Sequence, residues 1–125
     1  MIKAIEGILI GTENAKRLAK FYREVVGFKQ VGEYVMGDDA NLYDFAIKDG
    51  PGLYILDHSE VKGKNKMPGR LIINFEVDNI EKEVKRLKKS KVKLVKDIYH
   101  VEDYGYIATF EDPDGNYFQF VKTRQ

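Results

Sequence analysis

Cysteine is absent from the 125 residues, so the chain has no disulfide framework, thiolate metal site or cysteine nucleophile. Histidine is scarce: His58 and His100 are the only two. Charge of one sign is missing as well. The 21 basic and 20 acidic side chains leave a net charge of +1, too weak a field to grip nucleic acid or an anionic membrane. The Lys-rich stretch Lys82 to Lys96 is a local exception, and its neighbours Glu81 and Glu83 mark it as a solvated helix face. No apolar run reaches the roughly 18 residues of a membrane span, and the N-terminus has no signal-peptide core, so a cytoplasmic location is expected. There is no Gly-x-Ser-x-Gly nucleophile motif and no phosphate-cradling glycine loop. What is present, at 43% hydrophobic, suffices for one domain with its own core.

Short apolar runs bounded by turn residues predict strands over Ile5 to Ile10, Leu53 to Leu56, Leu71 to Val77, Ile107 to Phe110 and Tyr117 to Val121. Weaker strand patterns cover Phe28 to Tyr34, Leu42 to Ile47 and Val92 to Tyr99. Asn14 can cap a helix whose stripe is Ala15, Leu18, Ala19, Tyr22 and Val25-Val26, closed by Gly27. Asn79 can cap a second, with Ile80, Val84 and Leu87 inward. Asn14 and Asn79 are 65 residues apart, and Ala15/Ile80, Phe45/Phe110 and Asp49-Gly50/Asp114-Gly115 keep that offset. The chain therefore reads as an internal repeat, each half strand, helix, strand, strand, strand. Module one spans 1–58, a link 59–68 and module two 69–125, within one domain. One such half cannot bury both faces of its strands. The expected fold is α+β: two tandem βαβββ modules forming a curved eight-stranded sheet around a cleft, with helices outside.

Three stretches, "AKRLAKFYREVVGF", "INFEVDNIEKEVKRLKK" and "FEDPDGNYFQFV", make the chain resemble the vicinal oxygen chelate superfamily. That superfamily holds glyoxalases, extradiol dioxygenases and bleomycin-resistance proteins. The resemblance implies this fold over essentially the whole chain, and it implies a homodimer. It leaves open whether any reaction is catalysed. Enzymes of the family hold a divalent metal on inward-facing strand positions. Counted from Phe21, Asp78 and Asp112, with the repeat supplying the fourth, those positions fall here on Gly7, Ile72, Gln119 and Tyr54. Only Gln119 could coordinate, as a weak neutral oxygen, so the resemblance implies a member without the usual metal ligands and without a cofactor.

Strand alternation gives Gln119 a direction. Phe118 and Phe120 face the helix layer, leaving Tyr117, Gln119 and Val121 on the other side. The same parity places Tyr54 with them, and on the fifth strand Leu71, Ile73, Phe75 and Val77 go to the core while Arg70, Ile72, Asn74 and Glu76 face away. Asp44 and Thr109 join this wall if the register holds. The candidate ligand-binding residues are thus Asp44, Tyr54, Asn74, Thr109, Gln119 and Ile72, with apolar Leu9, Leu56 and Val121 beside them. Tyr34, Tyr43, Tyr99, Tyr104 and Tyr106 are expected at the rim, and Asp44 with Glu76 could form a carboxylate pair. A largely apolar wall with a few polar groups suits a small molecule. Three readings stay open: a metal-independent protein holding an aromatic or cationic ligand, a metal-dependent lyase or dioxygenase with unorthodox ligands, and a scaffold with a filled cleft.

Overall fold

The computed structural model describes residues 1–123. The chain divides into two compact units, Met1–Gly63 and Lys64–Gln125. In the first, β1 (Gly7–Thr12) is followed by α1 (Ala15–Lys20), β2 (Lys29–Met36), β3 (Ala40–Ala46) and β4 (Gly52–Asp57). In the second, β5 (Ile73–Glu76) is followed by α2 (Ile80–Lys89), β6 (Lys93–Val101), β7 (Gly105–Glu111) and β8 (Tyr117–Thr123). Each unit is a βαβββ module, and the fold is α+β. The strands form two four-stranded sheets, ordered β1-β4-β3-β2 and β5-β8-β7-β6. In each the first strand pairs parallel with the fourth, while the other pairings are antiparallel.

The repeat is built by repeated local chemistry. Asn14 Oδ1 accepts from Arg17 N at 3.0 Å, and Asn79 Oδ1 accepts from Lys82 N at 3.1 Å, each satisfying one unpaired donor at a helix start. β3 and β7 begin at Ala40 and Gly105, and β4 and β8 at Gly52 and Tyr117, so the 65-residue offset holds along the chain. It also holds in the turns before β4 and β8, where Gly50 N bonds Ile47 O and Gly115 N bonds Asp112 O. Their conformations differ. Asp49 is left-handed in the first turn (φ 57°), whereas Gly115 carries the positive φ (82°) in the second. Pro113 fixes the second corner of the latter turn, and Asp112 Oδ1 caps it by accepting from Asp114 N and Asn116 N, both at 2.9 Å.

Helix periodicity and strand alternation meet in two apolar layers. Ala15, Leu18, Ala19, Tyr22 and Val26 are buried in the first unit with Tyr43, Phe45, Leu53 and Ile55. Ile80, Val84 and Leu87 are buried in the second with Ala108, Phe110, Phe118 and Phe120. Phe110 stacks on Phe118 with centroids 5.8 Å apart, a geometry that adds to area burial.

Three sequence expectations need correction. The first helix does not stay α-helical to Val26. Phe21–Val26 widens into a π-helical turn, in which Gly27 N bonds Tyr22 O and Gly27 ends the element at φ 99°. The wider turn seats Tyr22 flat against Phe28, with centroids 5.7 Å apart. Leu71 is not core but 70% exposed, because a 3₁₀ turn, Pro68–Arg70, precedes it and β5 starts only at Ile73. Ile5 lies outside β1, which begins at Gly7, just after Glu6 O accepts from Gly52 N.

Candidate functional site

The face of each sheet turned away from its helix carries one polar row. In the first unit the row crosses the strands as Gly32, Asp44, Tyr54 and Leu9, each the register partner of the next. Two glycines leave room for the Tyr54 ring. A Cβ on Gly7 would stand 2.4 Å from Tyr54 Cε2, and one on Gly52 would stand 2.8 Å from its hydroxyl. The ring lies over both, and its hydroxyl donates to Glu6 Oε2 at 2.9 Å. That bond is the main cause of the raised Tyr54 pKa, with slight burial and the charges of Glu6 and Asp44 adding to it. Tyr34 folds back over Gly32 in the same way. Two carboxylates and two phenols therefore gather on this face.

In the second unit the row carries no carboxylate. Thr109, 6% exposed, donates to Gln119 Oε1 at 2.7 Å. Gln119 Nε2 donates to Asn74 Oδ1 at 2.6 Å, and Asn74 Nδ2 donates to the Tyr104 hydroxyl at 3.2 Å. Register produces this chain, since Gln119 is the cross-strand partner of both Thr109 and Asn74. Gln119 is thus half-buried and tied on both sides. Lys96, opposite Thr109 on β6, sits over the Tyr99 ring at 4.1 Å.

The remaining candidates divide. Ile72 is at the margin of exposure (36%), Leu9 is exposed and Leu56 half-buried, whereas Val121 is 3% exposed. Of the tyrosines expected at a rim, Tyr34, Tyr99 and Tyr104 belong to the faces just described. Tyr43 does not. It pairs with Ile55 on the helix side and is buried, and that burial is the first cause of its raised pKa. Tyr106 also takes the helix-side parity and packs on His100, 4.9 Å between centroids. Glu76 accepts from the Thr123 hydroxyl within its own unit. The sequence reading missed Glu6, which precedes the first strand and belongs to no motif. Tyr104 was placed at a rim, not in the polar chain.

The four positions at which the resemblance implies metal ligands do not fit a divalent ion. Gly7 is covered by the Tyr54 ring, Tyr54 is held by Glu6, Ile72 has no donor atom, and Gln119 is spent on Thr109 and Asn74. Such a site calls for three or four converging N/O ligands. Among the described residues no group of three or more His, Asp or Glu gathers. His58 Nδ1 accepts from Glu60 N at 3.2 Å, and His100 lies against Tyr106 as above.

Residues 4–120 match the Glyoxalase/Bleomycin resistance protein/Dioxygenase superfamily, and the chain belongs to it. Among solved structures it is similar to a glyoxylase/bleomycin resistance protein/dioxygenase domain from Frankia sp. EAN1pec, with TM-score 0.80 and 15% identity over 99% of this chain and 100% of that one. It is similar to TnmS3, an antibiotic binding protein from Streptomyces sp. CB03234, with TM-score 0.79 and 21% identity over 98% of each chain. It is similar, too, to the trypanothione-dependent glyoxalase I of Leishmania major, with TM-score 0.76 and 19% identity over 97% of this chain and 87% of that one. At these identities the likenesses show the fold alone. No curated protein matches. Among the described residues no helix is long and apolar enough to cross a membrane.

Proposed function

We propose that this is a metal-independent, cytoplasmic binding protein for a small aromatic or cationic molecule, working as a homodimer. The observation that carries the reading is the fate of the four ligand positions: Gly7 is covered by the Tyr54 ring, Tyr54 and Gln119 are hydrogen-bonded within the chain, and Ile72 has no donor atom. What replaces them is binding chemistry. Glu6 and Asp44 supply negative charge close to Tyr54, and with Tyr34 on the same face this suits a cation or an electron-poor ring. An antibiotic binding protein among the structural neighbours is an example of this fold used for binding. The strands that end each sheet, β1, β2, β5 and β6, support the expectation of pairing with a second copy.

A thermal-shift screen of planar cationic dyes, run with and without EDTA, tests the reading. Binding at 100 times the dissociation constant stabilises by about 2.7 kcal/mol, and the shift is expected to be the same in both buffers. A shift that needs added Zn²⁺, Ni²⁺ or Mn²⁺ would favour the metal-dependent lyase or dioxygenase. No shift with any ligand would favour the filled scaffold.

A further inference from the structure

The two rows differ in hydrogen-bond polarity as well as in charge. In the first unit the chain ends on an acceptor, the Glu6 carboxylate, to which the Tyr54 hydroxyl donates. In the second the direction is opposite. Thr109 gives its only proton to Gln119 Oε1, which turns the Gln119 nitrogen towards Asn74 Oδ1, which turns the Asn74 nitrogen towards Tyr104. The Tyr104 oxygen therefore accepts, and its own proton is left to donate outward. The second N–H of each amide is also uncommitted among the described residues. The row thus leads from a buried hydroxyl at Thr109 to three outward donors, and no carboxylate belongs to it. On the same face Lys96 contributes positive charge over Tyr99, and the Glu76 carboxylate is already taken by Thr123.

The donors that this face offers are complementary to a partner that brings an acceptor atom. Resting on the binding-protein reading above, we propose that the Thr109–Gln119–Asn74–Tyr104 chain is a donor subsite for the carbonyl oxygen of a flat ligand. The Tyr104 hydroxyl makes the contact. Thr109, Gln119 and Asn74 are positioning residues that fix the proton's direction.

The test uses two probes of one skeleton, 9-fluorenone and fluorene, with the wild-type protein and Tyr104→Phe. Asn74 is exposed, so its amide turns to water when the Tyr104 oxygen is lost, and the variant should melt with the wild type. The ketone is expected to bind roughly tenfold more tightly than the hydrocarbon, the effect of one net hydrogen bond, and its carbonyl stretch should fall in frequency on binding. Tyr104→Phe should abolish both effects and leave fluorene affinity unchanged. Equal affinity of the two probes in the wild type, or a preference that survives in Tyr104→Phe, overturns the donor subsite while leaving ligand binding intact. Failure of both probes to bind up to their solubility limit overturns the flat-ligand reading itself and takes the subsite with it.

Discussion

The bond between Thr109 and Gln119 predicts an asymmetry that a double-mutant cycle can measure. Thr109 is 6% exposed and donates at 2.7 Å to a half-buried amide. Thr109→Val keeps the shape and removes the donor. Gln119 Oε1 can then turn to water, so the loss is one net hydrogen bond, about 0.5–1.5 kcal/mol. Gln119→Leu does the reverse and strands a buried hydroxyl without its acceptor, a penalty of about 1–3 kcal/mol. With both changes nothing polar is stranded, and the cost should fall to about 1 kcal/mol or less. The double variant should thus be more stable than Gln119→Leu alone, with a coupling of about 1 kcal/mol or more. Urea unfolding followed by far-UV circular dichroism reads all four proteins, and the slope should stay constant across them. Additivity of the two single changes within about 0.5 kcal/mol would refute the claim that Gln119 is fastened into the fold.

Asp57 Oδ1 accepts from Ala15 N at 2.8 Å and Oδ2 from Asn41 N at 2.9 Å, joining the start of α1 to β3. Asp57→Ala should cost about 1–3 kcal/mol in thermal or chemical unfolding and speed hydrogen exchange at Asn41. Gly105 has φ 140°, and a Cβ there would lie 2.1 Å from Lys122 O, so Gly105→Ala should cost about 3 kcal/mol or more, read by its melting temperature. Because the Tyr54 hydroxyl donates to the Glu6 carboxylate, Tyr54 ionises above its ordinary 10.0. The folded state binds that proton more tightly than the unfolded state does, so its contribution is full below pH 10 and is lost as pH rises through the folded pKa. Spectrophotometric titration should show a late-ionising phenol that disappears in Tyr54→Phe and ionises earlier in Glu6→Gln.

Much of the fold was legible because its punctuation is written twice. Asn14 and Asn79 cap helices for the same reason, and Asp112 to Gly115 closes a hairpin by its own side-chain chemistry. Alternation along Phe118, Gln119 and Phe120 gave the direction of the amide, since a two-residue period admits only two faces. Alternation alone does not set register, so Asp44 and Thr109 shared that face only on condition, and the strand pairing is what sets Asp44 opposite Tyr54 and Thr109 opposite Gln119. The rest depended on how side chains fold over their own backbone. Nothing in the sequence pattern says that Tyr54 lies down across Gly7 and Gly52, or that Glu6 reaches its hydroxyl. Nor does composition show the π-helical widening at Phe21–Val26, or Leu71 being pushed off the strand by the turn at Pro68. Tyr43 carries a polar atom on an apolar body, and parity against Ile55 decided its side.

The central claim, that the chain binds an organic molecule and needs no metal to do so, is tested most directly by native mass spectrometry of protein purified without chelator, followed by its denatured mass. The account predicts a dimer whose protomers carry no stoichiometric divalent ion, together with a mass released on denaturation that belongs to a small organic ligand. One tightly held metal ion per protomer would contradict it.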